Sequence, residues 1–412
     1  MQALRIYKDQ HQNLNDSVRL TGSKSESNRL LILQALFDQF SIDNLSNADD
    51  VQVMKKGLQT KSGTVDIHHA GTAMRFLTAY FATQEGSKVK LTGSSRMKER
   101  PIEILVNALR YLGAKIEYLE NEGFPPLHIQ GSQLSQHKVS LPADISSQYI
   151  SALMLIAPSL PKGLEIDLVG KVTSVPYIQM TQGLLQSLGA EVSFSNNRIR
   201  VEPLDVDDLS LEQIAVESDW SAASYYYSIV ALSPLGSSIE LSVLKESSLQ
   251  GDRVLATIYE SFGVRTEFLK DKVRLAKINT VDASNSLTFD LANAPDIAQT
   301  IAVTALGLGM CCDLYGLHTL PIKETDRLNA MKIELEKCGA KVRITTDSLH
   351  LEQAVISCRE AEIDTYQDHR MAMAFAPLAL RIPLQINQAD VVSKSYPDFW
   401  KDLKRIGFEI ST

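Results

Sequence analysis

The chain has 412 residues, 44% of them hydrophobic and 22% charged, with a formal net charge of −8. That length and composition suit a soluble protein of two or three domains, and the acidic balance argues against a general nucleic-acid surface, so any anion site must be a local concentration of cations. The four cysteines, Cys311, Cys312, Cys338 and Cys358, lack metal or redox spacing and are expected as reduced core thiols in the cytoplasm, with no export signal at the start and no apolar run long enough for a membrane span.

In chain order, the first informative stretch is TGSKSESNRLLIL, residues 21–33. Small polar residues ahead of a helical apolar run mark a helix N-terminus, where unpaired N–H groups and the helix dipole attract anions. Lys24 and Arg29 stand at that same end. The form returns five more times, in AGTAMRFLTAYFA, ISSQYISALMLIAP, SDWSAASYYYSIVAL, APDIAQTIAVTALGL and QDHRMAMAFAPLAL. With Lys24, Gly71, Ser147, Trp220, Asp296 and His369 as markers, the steps are 47, 76, 73, 76 and 73 residues.

A second feature repeats in phase. The endings YLGAKI, SLGAEV, SFGVRT, KCGAKV and RIGFEI place Gly at 113, 189, 263, 339 and 407. Each predicts a Gly-capped helix leading into a strand. Five in register predict an internal repeat of roughly 75 residues. Each full copy is predicted as strand, buried helix, strand, amphipathic helix, Gly cap and a pair of strands, such as 115–119 with 127–129 and 191–194 with 198–201. The first copy is short. Only KSGTVDIHH separates its second helix, predicted over 50–60, from Ala70-Gly71-Thr72, so one strand pair is missing. The acidic segment 205–217 falls between the third and fourth copies and marks a domain boundary, with three copies on each side.

The polar starts and neighbouring loops hold the unusual side chains. Arg75 follows Gly71-Thr72, and RMKERP puts Arg96, Lys98 and Arg100 in a strand-to-helix connection with Pro101 at the helix start. Ser146-Ser147-Gln148 opens the third buried helix. Farther on come Lys323-Glu324-Thr325-Asp326-Arg327 and Asp368-His369-Arg370. On a helical turn Lys323 and Arg327 are i,i+4 neighbours that face one ligand. For any single cation the bland alternative is a solvated charge or a surface pair such as Glu99–Arg100; recurrence at equivalent places weakens it. Arginines in this number, with hydroxyls and helix N-termini, suit phosphate and carboxylate groups. No Walker-type loop, dinucleotide fingerprint or metal-spaced His cluster occurs, and the adjacent His68-His69 is a poor metal pair. Asp296 and Glu324 lie among the cations as acid–base candidates, as does Lys24, whose neutral form cationic neighbours would favour.

TGSKSESNR, AGTAMR, LTGSSRMKERP, SSQ, PDIA, IKETDRL, QDHRMAM and SKSYPDFW together resemble the motifs of the 3-phosphoshikimate 1-carboxyvinyltransferase (EPSP synthase) family, in order from about residue 20 to 400. The resemblance implies a two-domain inside-out α/β barrel, each domain built from three βαβαββ-type units. Residues 1–20 with 218–412 would form one domain and 21–217 the other, with helix N-termini of both at an active site between them. It implies transfer of the enolpyruvyl group of phosphoenolpyruvate to the 5-hydroxyl of shikimate 3-phosphate by addition–elimination, without metal or other cofactor, in a monomer that binds neither nucleic acid nor membrane. Catalysis would fall to Lys24, Asp296 and Glu324. Phosphoenolpyruvate would be held by Lys24, Gly71, Arg100, Gln148, Arg327, Arg370 and Lys394. Shikimate 3-phosphate would be held by Lys24, Ser25, Arg29, Ser146, Ser147, Gln148, Ser174, Tyr177, Asp296 and Lys323.

Three departures stand out: His69 where the family usually has Asn, Phe76 where Pro is common, and Thr319-Leu320-Pro321 where Asn-x-Arg is usual. Two rivals are weighed. The sister transferase acting on UDP-N-acetylglucosamine uses a loop Cys near the position of 96–100, and residues 1–310 contain no Cys. A catalytically silent ligand-binding relative would have no use for Lys24, Asp296, Glu324 and every donor-side arginine.

Overall fold

Six helices begin at the six polar starts: Lys24–Phe37, Gly71–Thr83, Ser147–Ile156, Trp220–Leu232, Ala298–Leu308 and His369–Phe375. Most of their residues are buried, as in a central helix; every residue of Trp220–Leu232 except Ser221 is buried. The computed structural model describes residues 3–143, 146–170, 172, 175–270 and 272–412. The chain divides into two units, Gly22–Val216 and Met1–Thr21 with Glu217–Thr412. Each has its own hydrophobic core.

In the unit Gly22–Val216, the second copy pairs Ser62–Asp66 parallel with Lys88–Thr92, then antiparallel with Leu127–Gln130 and Lys115–Tyr118. Val89 and Leu91 alternate inward while Lys88 and Lys90 face out, the period-2 pattern of a half-buried strand. The third copy repeats this order with Lys138–Pro142, Leu164–Val169, Arg198–Val201 and Val192–Ser195. The first copy has two strands: Ser41–Asp43 lies parallel to Gln213–Ala215. The strand pair expected to be absent is absent from this sheet, and the opening strand is supplied from the far end of the unit.

The second unit has three four-stranded sheets of the same order. Asn15–Val18 opens the first, parallel to Ser238–Ser242, and Leu4–Tyr7 sits in the last between Leu384–Ile386 and Glu409–Ser411. Helices inside and sheets outside make the inside-out α/β arrangement, three repeats to a unit with the first shortened. The repeat step becomes direct contact in the core. Ser224 and Thr300, 76 residues apart, share a hydrogen bond of 3.1 Å, and Ser228 and Thr304, also 76 apart, one of 2.8 Å.

All five predicted Gly caps are left-handed, with φ of 111°, 104°, 76°, 106° and 91° at Gly113, Gly189, Gly263, Gly339 and Gly407. The carbonyl before each Gly is satisfied from outside the helix. Backbone N–H groups of Ser135, Ser210 and Ser357 serve Leu112, Leu188 and Cys338 at 2.9, 3.1 and 3.1 Å. Buried ammonium groups serve the other two, Lys277 to Phe262 O at 2.6 Å and Lys8 to Ile406 O at 2.9 Å.

Several local expectations are corrected. The second helix of the first copy runs Asp49–Leu58. The RMKERP connection contains a short helix, Ser95–Lys98, capped by Ser94, and the next helix starts at Glu103, after Pro101. Glu99 pairs with Arg96 at 2.9 Å rather than with Arg100, because that short helix sets them i,i+3 apart. Cys312 and Cys338 are core thiols, whereas Cys311 and Cys358 are partly exposed. Among the described residues, no helix is long and apolar enough to cross a membrane.

Candidate active site

In the unit Gly22–Val216, three helix N-termini bring their side chains together. Gly22 enters the first because a Cβ there would stand 1.8 Å from Asn44 O. Ser23 caps it, accepting from Glu26 N at 3.4 Å. Lys24 Nζ pairs with Asp50 Oδ2 at 3.2 Å, and His69 Nε2 stands 3.7 Å from the other Asp50 oxygen. The cationic surroundings expected for Lys24 are thus replaced by a carboxylate. That partner comes from the start of Asp49–Leu58.

Arg29 is buried. Its Nε donates to Thr181 Oγ1 at 2.8 Å, Nη1 to Ser25 O at 2.9 Å, and Nη2 to Ser151 Oγ at 3.1 Å and Tyr177 O at 3.4 Å. It packs over the rings of Phe76 and Tyr177. Arg75, also buried, donates to Gly71 O at 3.2 Å and Pro101 O at 3.1 Å, and its Nε has no partner among the described residues. Burial pulls both guanidinium groups down to about 10, with Arg100 adding to the fall at Arg75 and Tyr177 and Glu26 opposing it at Arg29. None of their hydrogen-bond partners is a carboxylate. The Arg100 guanidinium lies on Gly71, where a Cβ would come 2.6 Å from its Nη1. Ser146 caps the third helix through Gln148 N at 3.3 Å, and Gln148 Nε2 reaches Thr72 Oγ1 at 3.3 Å, joining residues 76 positions apart. Ser147 is buried at that helix start. Ser174 lies outside the described residues.

The second unit gathers a different mixture. Arg327, 1% exposed, has all its donor nitrogens on carboxylates: Nε to Asp368 Oδ2 at 2.6 Å, Nη1 to Asp296 Oδ1 at 2.8 Å and Nη2 to Glu324 Oε2 at 2.7 Å. Burial opposes its charge, but Asp368, Glu324 and Asp296 together hold it above the ordinary arginine range. Lys323 Nζ stands 3.6 Å from Asp296 Oδ1. Lys323 and Arg327 do not share a helical turn. Lys323 ends the 3-10 turn Leu320–Ile322, and Arg327 opens the helix Arg327–Lys337 behind its Asp326 cap. They converge on Asp296 instead.

Arg370 donates to Asp296 O at 2.9 Å and Ser221 Oγ at 3.3 Å, and its Nη2 lies 3.4 Å from Asp296 Oδ2. Its backbone N–H is capped by Asp368 Oδ1 at 2.9 Å. Lys394 Nζ donates to Gln367 O at 2.6 Å. Sequence reasoning missed Asp50 as a partner of Lys24, missed Asp252, which accepts from Ser221 Oγ, and did not separate Asp368 from its neighbours. The available signals were the Asp-Asp pair at a helix start and the Asp before His369-Arg370.

One unit thus carries buried arginines whose hydrogen-bond acceptors are all neutral, and the other carries arginines beside carboxylates, each on α/β repeats. That fold is shared with solved enolpyruvyl transferases. NikO from Streptomyces tendae matches with a TM-score of 0.71 at 13% identity, over 99% of this chain and 98% of that one. EPSP synthase from Acinetobacter baumannii matches with a TM-score of 0.80 at 20% identity, over 100% of both chains. The family model for EPSP synthase (3-phosphoshikimate 1-carboxyvinyltransferase) matches residues 56–403. A 3-phosphoshikimate 1-carboxyvinyltransferase of Bacteroides fragilis is 46% identical over 403 residues, 96% of each chain. The chain belongs to the EPSP synthase family.

Proposed function

We propose that the chain transfers the enolpyruvyl group of phosphoenolpyruvate to the 5-hydroxyl of shikimate 3-phosphate, releasing phosphate, and that residues of both units act on this one pair of substrates. The observation that carries the assignment to these residues is the burial of Arg29 and Arg75 without a carboxylate partner. A buried charge whose hydrogen bonds all go to neutral acceptors is only partly compensated, by Glu26 near Arg29 and not at all by the Arg100 cation near Arg75, and an anionic substrate completes it. Shikimate 3-phosphate is assigned to Lys24, Ser25, Arg29, Ser146, Ser147, Gln148, Ser174 and Tyr177, with Asp296 and Lys323 at its ring.

Phosphoenolpyruvate is assigned to Lys24, Gly71, Arg100, Gln148, Arg327, Arg370 and Lys394, where planar guanidinium forks match carboxylate and phosphate oxygens. Arg327 is saturated, so donor binding requires one carboxylate to yield. Glu324, with 28% of its side chain exposed against 10% for Asp296 and none for Asp368, is the partner best placed to move. In doing so it becomes available for proton transfer.

The 5-hydroxyl oxygen bonds to C2 of the donor while its proton passes to Asp296. A proton from Glu324 or Lys24 reaches C3, giving a tetrahedral intermediate. Loss of that methyl proton and of the C2–phosphate bond restores the double bond and releases phosphate. One chain supplies every group named, so a monomer is the working unit, and the cytoplasm suits four unbridged cysteines. Phosphate release dependent on both substrates, and lost in Asp296→Asn, is the expected result. No phosphate release by the folded protein with both substrates would overturn the assignment.

A further inference from the structure

Among the described residues of the second unit's cluster, Asp219, Asp252, Asp296, Glu324 and Asp368 stand with Lys323, Arg327 and Arg370. Asp296, Glu324 and Asp368 hold Arg327, and Asp219 caps Trp220–Leu232 through Ala222 N at 3.0 Å. Asp252 has neither task. It is 7% exposed on the short turn Gly251–Val254, and its Oδ2 accepts a hydrogen bond from Ser221 Oγ. The same Ser221 oxygen accepts from Arg370 Nη2 at 3.3 Å.

The segment bearing Asp252 is bolted to the start of the helix bearing Ser221. Gln250 accepts from Trp220 N at 3.0 Å and donates to Ser218 O at 2.9 Å. The Glu217 carboxylate accepts from Trp220 Nε1 at 2.7 Å, Lys245 N at 2.7 Å and Ser248 Oγ at 2.6 Å. The approach of Asp252 to Ser221 is therefore set by these contacts and does not depend on its own hydrogen bond.

A hydroxyl has one proton and two acceptor lone pairs. An ionised carboxylate only accepts, so Asp252 makes Ser221 donate toward it and leaves a lone pair facing Arg370. An amide or a protonated carboxyl at 252 no longer fixes that direction: by donating to Ser221 it takes up a lone pair and frees the hydroxyl proton from its place on the carboxylate, so the proton is able to face the guanidinium, donor against donor.

We infer that Asp252, acting through Ser221, is a positioning residue that fixes the guanidinium plane of Arg370 for the enolpyruvyl donor. This rests on the assignment of Arg370 to phosphoenolpyruvate. Burial raises the Asp252 carboxyl to about 6; Arg370 and the Ser221 hydrogen bond oppose the rise, while Asp296 and Asp219 add to it. Protonation there makes Asp252 a donor and weakens donor capture on the acid side.

Steady-state kinetics on the full chain test this, with thermal melting as the check on folding. Ser221→Ala and Asp252→Asn are each expected to raise KM for phosphoenolpyruvate about tenfold, with kcat kept within about threefold and KM for shikimate 3-phosphate unchanged. The double variant should be no worse than either single one. The wild-type acid limb of kcat/KM for the donor should contain a component with an apparent pKa near the Asp252 value, and Asp252→Asn should remove that component. Should Asp252→Asn not fold, Ser221→Ala alone decides. An unchanged donor KM in folded Ser221→Ala, or additive effects in the double variant, overturns the inference. Arg370→Lys separates the two levels: an unchanged donor KM there removes Arg370 from the donor site, and the inference falls with it. A raised KM there beside a normal Ser221→Ala sinks the inference alone.

Discussion

Replacing Asp368 by Asn asks whether charge or shape holds the buried Arg327. Asp368 is fully buried and makes the shortest of the Arg327 contacts, 2.6 Å to Nε, while its other oxygen caps His369–Phe375 through Arg370 N at 2.9 Å. Asn keeps the shape and the cap, but turns an amide N–H₂ toward a guanidinium. Removing one partner of a buried pair costs about 3–5 kcal/mol. Asp296 and Glu324 remain on Arg327 at 2.8 and 2.7 Å, which sets the expectation near the lower end, about 3 kcal/mol. Asp368→Ala also loses the cap, about 1 kcal/mol more. Both tryptophans, Trp220 and Trp400, lie in the unit containing Glu217–Thr412, so intrinsic fluorescence during urea unfolding reads that unit by itself. With a slope of about 2–3 kcal/mol per molar, the midpoint should fall by about 1–1.5 M for Asn and further for Ala. A shift below about 0.3 M in Asp368→Asn would refute the claim that this charge holds Arg327.

Gly71→Ala should leave the melting temperature nearly unchanged, because its Cβ meets only the movable end of Arg100, 2.6 Å away, yet raise the donor KM about tenfold or more in steady-state assays. Glu324→Gln keeps the contact shape with Arg327 and removes the titrating proton, so kcat should fall about 100-fold with substrate binding largely kept; near-normal turnover would transfer the role to Lys24 or Asp296. Burial, aided by the Arg381 charge, lowers the Lys277 amine to about 8. Between there and the unfolded value the unfolded chain binds more protons, so this group makes stability rise with pH by at most about 1.4 kcal/mol per unit. Lys277→Met should abolish that rise in tryptophan-monitored unfolding across the alkaline range, and an unchanged slope would contradict it. The shortened first copy leaves Gly22–Val216 with a two-stranded sheet, so hydrogen exchange should show this unit opening before the other in the absence of ligand.

What the sequence makes legible is whatever a single residue type enforces locally. Left-handed Gly at 113, 189, 263, 339 and 407 ends five helices and, in phase with the polar helix starts, reveals the repeat and its step. Four of the six polar helix starts are equally visible, because Ser23, Ser146, Asp219 and Asp368 cap them with their own side chains. Partnerships between separate elements are not visible. Asp50 reaches Lys24 across 26 residues and Asp368 reaches Arg327 across 41, so each cation looks solitary in the sequence. Lys323 misled for a related reason: i,i+4 spacing means a shared face only where the backbone is helical, and here Pro321 lies in a 3-10 turn that ends at Lys323. The placement of Leu4–Tyr7 beside strands made almost 400 residues later had no local signal at all.

That strand has a consequence for synthesis. Leu4–Tyr7 leaves the ribosome well before its partners, Leu384–Ile386 and Glu409–Ser411. At about 5–20 residues per second, roughly 20–80 s of translation separates them. Gly22–Val216 is contiguous and completes its core during that interval, while the first strand waits unpaired, its Ile6 without the core that later buries it. The nascent chain therefore carries a folded Gly22–Val216 unit with an unpaired strand ahead of it, and the open edges of that strand are exposed to chaperones, proteases and mispairing until Glu409–Ser411 emerges.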